Sequence, residues 1–214
     1  MSKYVIIDLE MCNVPKGFKR SVYNLKSELI QIGAVVVDES LSITDEFMTH
    51  VSPEHGMIDA YIENLTGISR SDVQGAPQIK KALEMFMDWL PKDAILVSWS
   101  ENDEKQIRKE LEVKGLVIEG LEYYLDNWID CQKTFGEKMN ANKNYKLSEA
   151  LIIADICYDD GEHDALVDAK NTAQLFIKMQ REPELKLNSY YSSKTEELTY
   201  RPFAALLANY TIAG

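Results

Sequence analysis

The stretch Tyr4-Val5-Ile6-Ile7-Asp8-Leu9, followed at once by Glu10, decides how this chain reads. The run is short, apolar and β-branched, which predicts a buried first strand over residues 4–9. Its acids come only at the end. Side chains on a strand repeat every two residues, so Asp8 and Glu10 project to the same side. Burying two like charges at a strand end is unfavourable unless a cation holds them. Hard oxygen ligands in that arrangement suit Mg²⁺ or Mn²⁺. The spacing alone is weak: with 15 Asp and 20 Glu in 214 residues, about 1.4 Asp-x-Glu triplets arise by chance. Asp160-Gly161-Glu162 is the other one present. An exposed acid pair at a strand end stays open as the plain alternative.

Outward from this strand, residues 11–27 carry Pro15, Gly17 and Ser21 and read as a long connection with Lys16, Lys19, Arg20 and Lys26. Residues 29–37 (LIQIGAVVV) and 43–51 predict two more strands, joined by a connection short enough for an antiparallel hairpin. Helical spacing follows over 60–65 and 78–90, the second with Ile79, Leu83, Phe86, Met87 and Leu90 on one face. A buried strand over 94–98 and a helix over 101–114 come next. A brief strand over 127–130 leads into a helix through Met139, and helices over 146–153 and 164–179 complete the pattern. Three strands followed by alternating helices and strands indicate an α/β mixed sheet with helices on its faces.

The length suits one domain, or one domain with a modest appendage. At 45% hydrophobic and 27% charged residues, the chain is neither disordered nor collagenous. Its formal net charge of -12 argues against non-specific binding to long duplex DNA or anionic membranes, which depends on positive charge. Cys12, Cys131 and Cys157 have no paired spacing, so neither a disulfide framework nor a zinc site is expected. No apolar run approaches the ~20 residues that span a bilayer, and the first residues lack a signal peptide's apolar core. The expectation is a cytoplasmic protein with no membrane partner. Residues 182–214 change character, with Tyr190, Tyr191, Tyr200, Phe203 and Tyr210 among Ser and Thr. A packed appendage and a homo-oligomer contact are both open for that segment.

Three further positions bear on chemistry. Asp103 follows the strand over 94–98, where Ser100 as N-cap and Asp103 three residues later resemble a capping box. His163 lies in a turn before the last helix, with Asp164 as N-cap and Asp168 in the first turn. A histidine titrates near neutrality and can accept a proton from an activated water. A single loop histidine with no role is the plain alternative, and His50 and His55 are left with that reading. Taken together, two acids at one strand end, one after a later strand and one opening the last helix can converge at one edge of a sheet. Such a cluster suits two metal ions clamping the attacking and leaving oxygens of a phosphodiester. No Gly-x-Ser-x-Gly elbow and no Gly-rich phosphate loop is present, so those reaction classes drop out.

The order Asp8-x-Glu10, Asp103, then His163-x4-Asp168 resembles the three motifs of the DEDDh 3′→5′ exonucleases, in the DnaQ-like, RNase H-like fold group. The flanking stretches IIDLEMC, SELIQIGAVVVD, ENLTGIS, SWSENDEKQI and HDALVDAKNTAQLF are similar to that family in family order. The branch resembled includes histone-mRNA and small-interfering-RNA 3′-end exonucleases and an exonuclease linked to bacterial sporulation control. The likeness covers about residues 3–180, which gives an exonuclease domain over 1–181 and a C-terminal appendage over 182–214. It implies an RNase H-like mixed sheet flanked by helices. It also implies two Mg²⁺ or Mn²⁺ ions held by Asp8, Glu10 and Asp168, with Asp103 acting through water and His163 as general base. Met11 and Leu65 would meet the terminal nucleotide, and Trp99 is open between a substrate contact and a core position. The implied substrate is a single-stranded 3′ end, RNA rather than DNA. The basic residues of the 11–27 connection, and a second patch at Lys143 and Lys146 around Tyr145, are candidates to guide the strand. Two other readings remain open: a non-catalytic regulator that binds a partner through the fold, and a phosphodiesterase for oligonucleotides of a few residues.

Overall fold

The computed structural model describes residues 3–17, 24–141, 143–157 and 163–191. Lys19, Arg20, the Asp160-Gly161-Glu162 triplet and the tail aromatics Tyr200, Phe203 and Tyr210 lie outside them. In chain order the elements are β1 (Tyr4–Asn13), β2 (Ser27–Val37), β3 (Ile43–His50), α1 (Ala60–Thr66), α2 (Arg70–Val73) and α3 (Ile79–Trp89). They continue with β4 (Ile95–Ser98), α4 (Asn102–Lys114), α5 (Leu121–Asp126), β5 (Ile129–Asp130), α6 (Cys131–Lys138), α7 (Leu147–Ile153) and α8 (Ala165–Arg181).

One mixed sheet forms in the order β3-β2-β1-β4-β5. β1 pairs antiparallel with β2 along its length and parallel with β4 only from Tyr4 to Ile6. Past Ile6 its β4-facing edge is therefore open, and the acids of β1 lie at that opening. The expected hairpin joins β2 to β3, with the Asp38 carboxylate accepting from the backbone N–H groups of Ser40 and Ser42.

β1 and β2 are apolar on both faces because both faces are covered. On one side Val5, Ile7, Ile32 and Ala34 pack with Leu83 and Phe86 of α3, Ile107 of α4 and Leu121 of α5. On the other, Ile6, Val35 and Val97 pack with Phe135 of α6, Leu151 of α7 and Phe176 of α8.

Two differences from the sequence expectation are informative. β1 runs on to Asn13, because a bulge between Glu10 and Met11 absorbs the irregularity and lets pairing with β2 resume. The short helices α2 and α5 are additions to the expected pattern, since four and six residues carry too little periodicity to register. Beyond α8, the backbone N–H of Asn188 donates to the carbonyl of Ile153, and Leu185, Leu187 and Tyr191 lie against the α6–α8 cluster. Among the described residues, no helix is long and apolar enough to cross a membrane.

A buried ion cluster joins α4 to β2. The Lys114 ammonium sits 2.7 Å from Glu28 and 2.9 Å from Glu110, with all three side chains almost without solvent contact. The backbone N–H of Leu29 donates to Glu110, and those of His55 and Gly56 donate to Glu28. Burial pushes the Glu110 carboxyl up despite the adjacent ammonium. Lys114→Met would leave two buried carboxylates without their cation, which typically costs about 3–5 kcal/mol. Urea unfolding of that variant should show a destabilisation of this order.

Candidate active site

The register of the two central strands sets up the site. Asp8 lies opposite Gly33 and Glu10 opposite Gln31, so all four share the face that α8 covers. The start of α8 descends directly onto β2. A Cβ on Gly33 would lie 2.2 Å from the backbone of Ala165 and Leu166, so only glycine permits this approach. Beside it the Gln31 amide acts as a fork. Its Oε1 accepts from the Ala165 N–H at 2.9 Å, and its Nε2 donates to the Asp164 carboxylate at 3.1 Å. Asp164 in turn caps the helix as expected, accepting from the N–H groups of Leu166 and Val167.

This docking fixes Asp168 in the first turn of α8. His163 precedes it in the loop, exposed and at a φ of 71°, where non-glycine residues are uncommon. Its backbone N–H donates to Asp168 Oδ2 at 3.1 Å, which ties the loop to the acid. Ligand-capable atoms of Glu10, His163 and Asp168 all fall within 4.8 Å of one another.

Asp103 comes from the first turn of α4 and is buried. The capping-box expectation for it is corrected. The N-cap is Glu101, without a side-chain cap bond, and the Ser100 hydroxyl accepts from the Asn102 N–H at 3.4 Å rather than from Asp103. The Asp103 carboxylate instead lies beside the backbone N–H of Leu9, on the open edge of β1, and beside Ser98, whose hydroxyl donates to the Ser100 carbonyl. Local spacing could not reveal this, because the Leu9 partner lies far away in sequence.

The carboxylates feel one another. Loss of hydration, then the charges of Asp103, Asp168, Glu10 and Asp164, hold the Asp8 carboxyl well above the usual range. Glu10 is pushed up to about 8 by burial and then by Asp168, Asp103 and Asp164. Burial likewise pushes Asp103 up to about 7, against the hydrogen bonds that favour its ionised form. A set of hard oxygen donors that cannot comfortably ionise together fits divalent cations, in keeping with the acid pair at the end of β1.

The structure thus brings Asp8, Glu10, Asp103, His163 and Asp168 together. Trp99 is buried in the α6–α8 cluster, with its Nε1 donating to the Tyr145 carbonyl, and it also lines a cavity next to His163 and Asp168. Met11 is partly buried on the bulge, and Leu65 is half-buried on α1. Neither lines that cavity. Sequence reasoning does not single out Asp164, Gln31 and Gly33 as parts of the site. The signal that could have found the last two is a polar amide and a glycine inside an otherwise apolar strand.

A family model described as Exonuclease, RNase T, matches residues 5–176. The chain belongs to this exonuclease family. It is 32% identical to the DNA polymerase III subunit epsilon of Aquifex aeolicus, over 91% of this chain and 89% of that relative. It is 30% identical to ERI1 exoribonuclease 2 of Danio rerio, over 71% of this chain and 31% of that one. It also spans just 11% of the PolC-type DNA polymerase III of Caldanaerobacter subterraneus subsp. tengcongensis, at 32% identity. Among solved structures, the nuclease domain of 3′hExo, a DEDDh family member bound to rAMP, superposes with a TM-score of 0.73. That match has 24% identity and covers 88% of this chain and 96% of that one, so the exonuclease fold is shared.

Two outcomes follow for this family member. In metal-free protein, carboxyls with raised folded-state pKa values favour the protonated fold. Their stabilisation is full below about pH 4 and is lost as pH rises through about 7 for Asp103 and about 8 for Glu10. Calorimetry in chelator should therefore show Tm falling between about pH 5 and 9, with a shallower fall in Glu10→Gln. Gly33→Ala should push α8 off β2, destabilising the fold by about 1–3 kcal/mol and reducing the Tm gain on adding Mn²⁺.

Proposed function

We propose that this protein is a metal-dependent 3′→5′ exonuclease that removes nucleotides from single-stranded 3′ ends, RNA in preference to DNA. The observation that carries the reading is the convergence of Glu10, His163 and Asp168 within 4.8 Å, beside Asp8 and Asp103, in a chain of the exonuclease family. The RNA preference rests on the motif likeness and on the ERI1 exoribonuclease 2 relative. The comparable likeness to a DNA polymerase subunit makes DNA the necessary parallel substrate. The exonuclease unit is assigned to residues 1–181, with 182–214 an appendage.

Asp8, Glu10 and Asp168 are assigned to hold two Mg²⁺ or Mn²⁺ ions, with Asp103 acting through water. When bound, such ions supply the positive charge this acidic protein lacks, activating water and stabilising the leaving 3′ oxygen. The remaining steps belong to the chain. His163 takes the proton of the attacking water at a ring nitrogen. Its exposure on the loop gives that proton a route to solvent. The Asp168 side chain, accepting from the His163 N–H, keeps the base beside the acids. Gln31 and Gly33 hold α8 at the height that puts Asp168 within reach of Glu10. Met11 and Leu65 are assigned to the departing terminal nucleotide.

The test is a 5′-labelled single-stranded RNA, with DNA in parallel, incubated with protein stripped by EDTA and resupplied with Mn²⁺. A ladder shortening from the 3′ end is expected, and an unchanged ladder on both substrates overturns the reading. Asp168→Ala should abolish metal-induced stabilisation and lower turnover at least about 100-fold. His163→Ala should keep that stabilisation while kcat falls roughly 10²–10⁴-fold, the usual contribution of a general base.

A further inference from the structure

The cavity beside His163 and Asp168 has a volume of about 400 Å³, within the range of small-molecule sites. Its chemistry is that of a nucleotide seat. Trp99, Leu147 and Leu151 give it an apolar wall against which a base can lie. Gln132 reaches it with a fixed amide: Nε2 donates to the Tyr145 carbonyl at 2.7 Å, which leaves Oε1 to accept from the N–H edge of a base. Lys146, exposed and in no ion pair with a described residue, stands at the same cavity as the cation for a phosphate.

A second basin of about 420 Å³ continues from the first, sharing Ser100, Asn102 and Gln132 with it. Its charge is different. Glu101, Asp130 and Glu137 line it together with Lys133 and Lys143. Lys143 is already engaged by Glu149 at 2.8 Å and lies over the Tyr145 ring. Glu101 is likewise engaged by Lys105, which leaves Asp130 and Glu137 against Lys133, so a phosphodiester strand moving outward meets more negative than positive charge one step past the first cavity. The net charge of -12 offers no compensation at longer range.

We propose that the first cavity seats the nucleotide immediately upstream of the scissile phosphate and that the grip on the strand ends there. Recognition is then confined to the last two nucleotides, whatever the strand length. This rests on the exonuclease reading above, with the terminal nucleotide at Met11 and Leu65, which line neither basin.

Isothermal titration with unlabelled oligoribonucleotides of 1, 2, 3, 5, 10 and 20 residues tests it, with Ca²⁺ in place of Mn²⁺ so that binding is read without turnover. The expected result is a gain of roughly tenfold from one to two residues, the order of one stacked base, then less than about threefold from three to twenty. Lys146→Glu, on an exposed side chain and checked by thermal melting, should remove most of the gain from one to two residues. Affinity that climbs more than about tenfold between three and twenty residues overturns the proposal. So does a two-residue gain untouched by Lys146→Glu, or an absence of binding at every length. If the expected binding pattern holds but no strand is shortened with Mn²⁺, the exonuclease activity fails and the binding proposal stands. Shortening accompanied by steadily length-dependent affinity overturns the binding proposal and leaves the exonuclease activity standing.

Discussion

The site depends on the contact between the start of α8 and β2. Helix and strand meet backbone to backbone at Gly33, where any Cβ would collide with Ala165 and Leu166. Gln31 locks the contact by satisfying an orphan helix N–H and the capping carboxylate with one amide. Because Asp8 and Glu10 are the cross-strand partners of Gly33 and Gln31, this packing also lowers Asp168 onto them. Without it the motif acids would belong to separate elements with no common task.

That packing forces carboxylates together at the sheet's opening, past the last β1–β4 pair. The arrangement is strained in electrostatic terms: Asp8, Glu10 and Asp103 all resist ionisation. The rest of the fold supplies the stability to hold it, with apolar layers on both sheet faces and the Glu28–Lys114–Glu110 cluster anchoring α4 to β2. Asp103 stands near the opposite end of α4 from Lys114, so this anchor also fixes the helix that carries the third acid.

Acidity itself takes on a different meaning once the site is built. A net charge of -12 argues against general polyanion binding. Asp8, Glu10, Asp103 and Asp168 account for four of those charges, and they concentrate where divalent cations can bind. Of the two lysines expected around Tyr145, Lys146 lines the cavity beside His163 and Lys143 the next basin, which Glu101, Asp130 and Glu137 also line. Of the basic connection over 11–27, Lys16 and Lys26 are exposed, while Lys19 and Arg20 lie outside the described residues.

The sequence by itself determined the strand cores over 4–9 and 29–37, the hairpin, the N-cap at Asp164 and the identity of the motif acids. The strands, the hairpin and the cap are matters of local periodicity and spacing, which neighbouring residues specify directly, whereas the motif acids stand out through the likeness of their order and flanking residues to the exonuclease family. The bulge past Glu10, the short helices α2 and α5 and the role of Asp103 were decided only in three dimensions. Ser100 with Asp103 satisfies a capping pattern locally, yet the folded chain sets that carboxylate beside the Leu9 N–H on the open edge of β1. Gln31 and Asp164 are 133 residues apart, and no spacing rule connects them. Close packing does: one missing Cβ lets a helix approach a strand, and that approach turns scattered acids into a site.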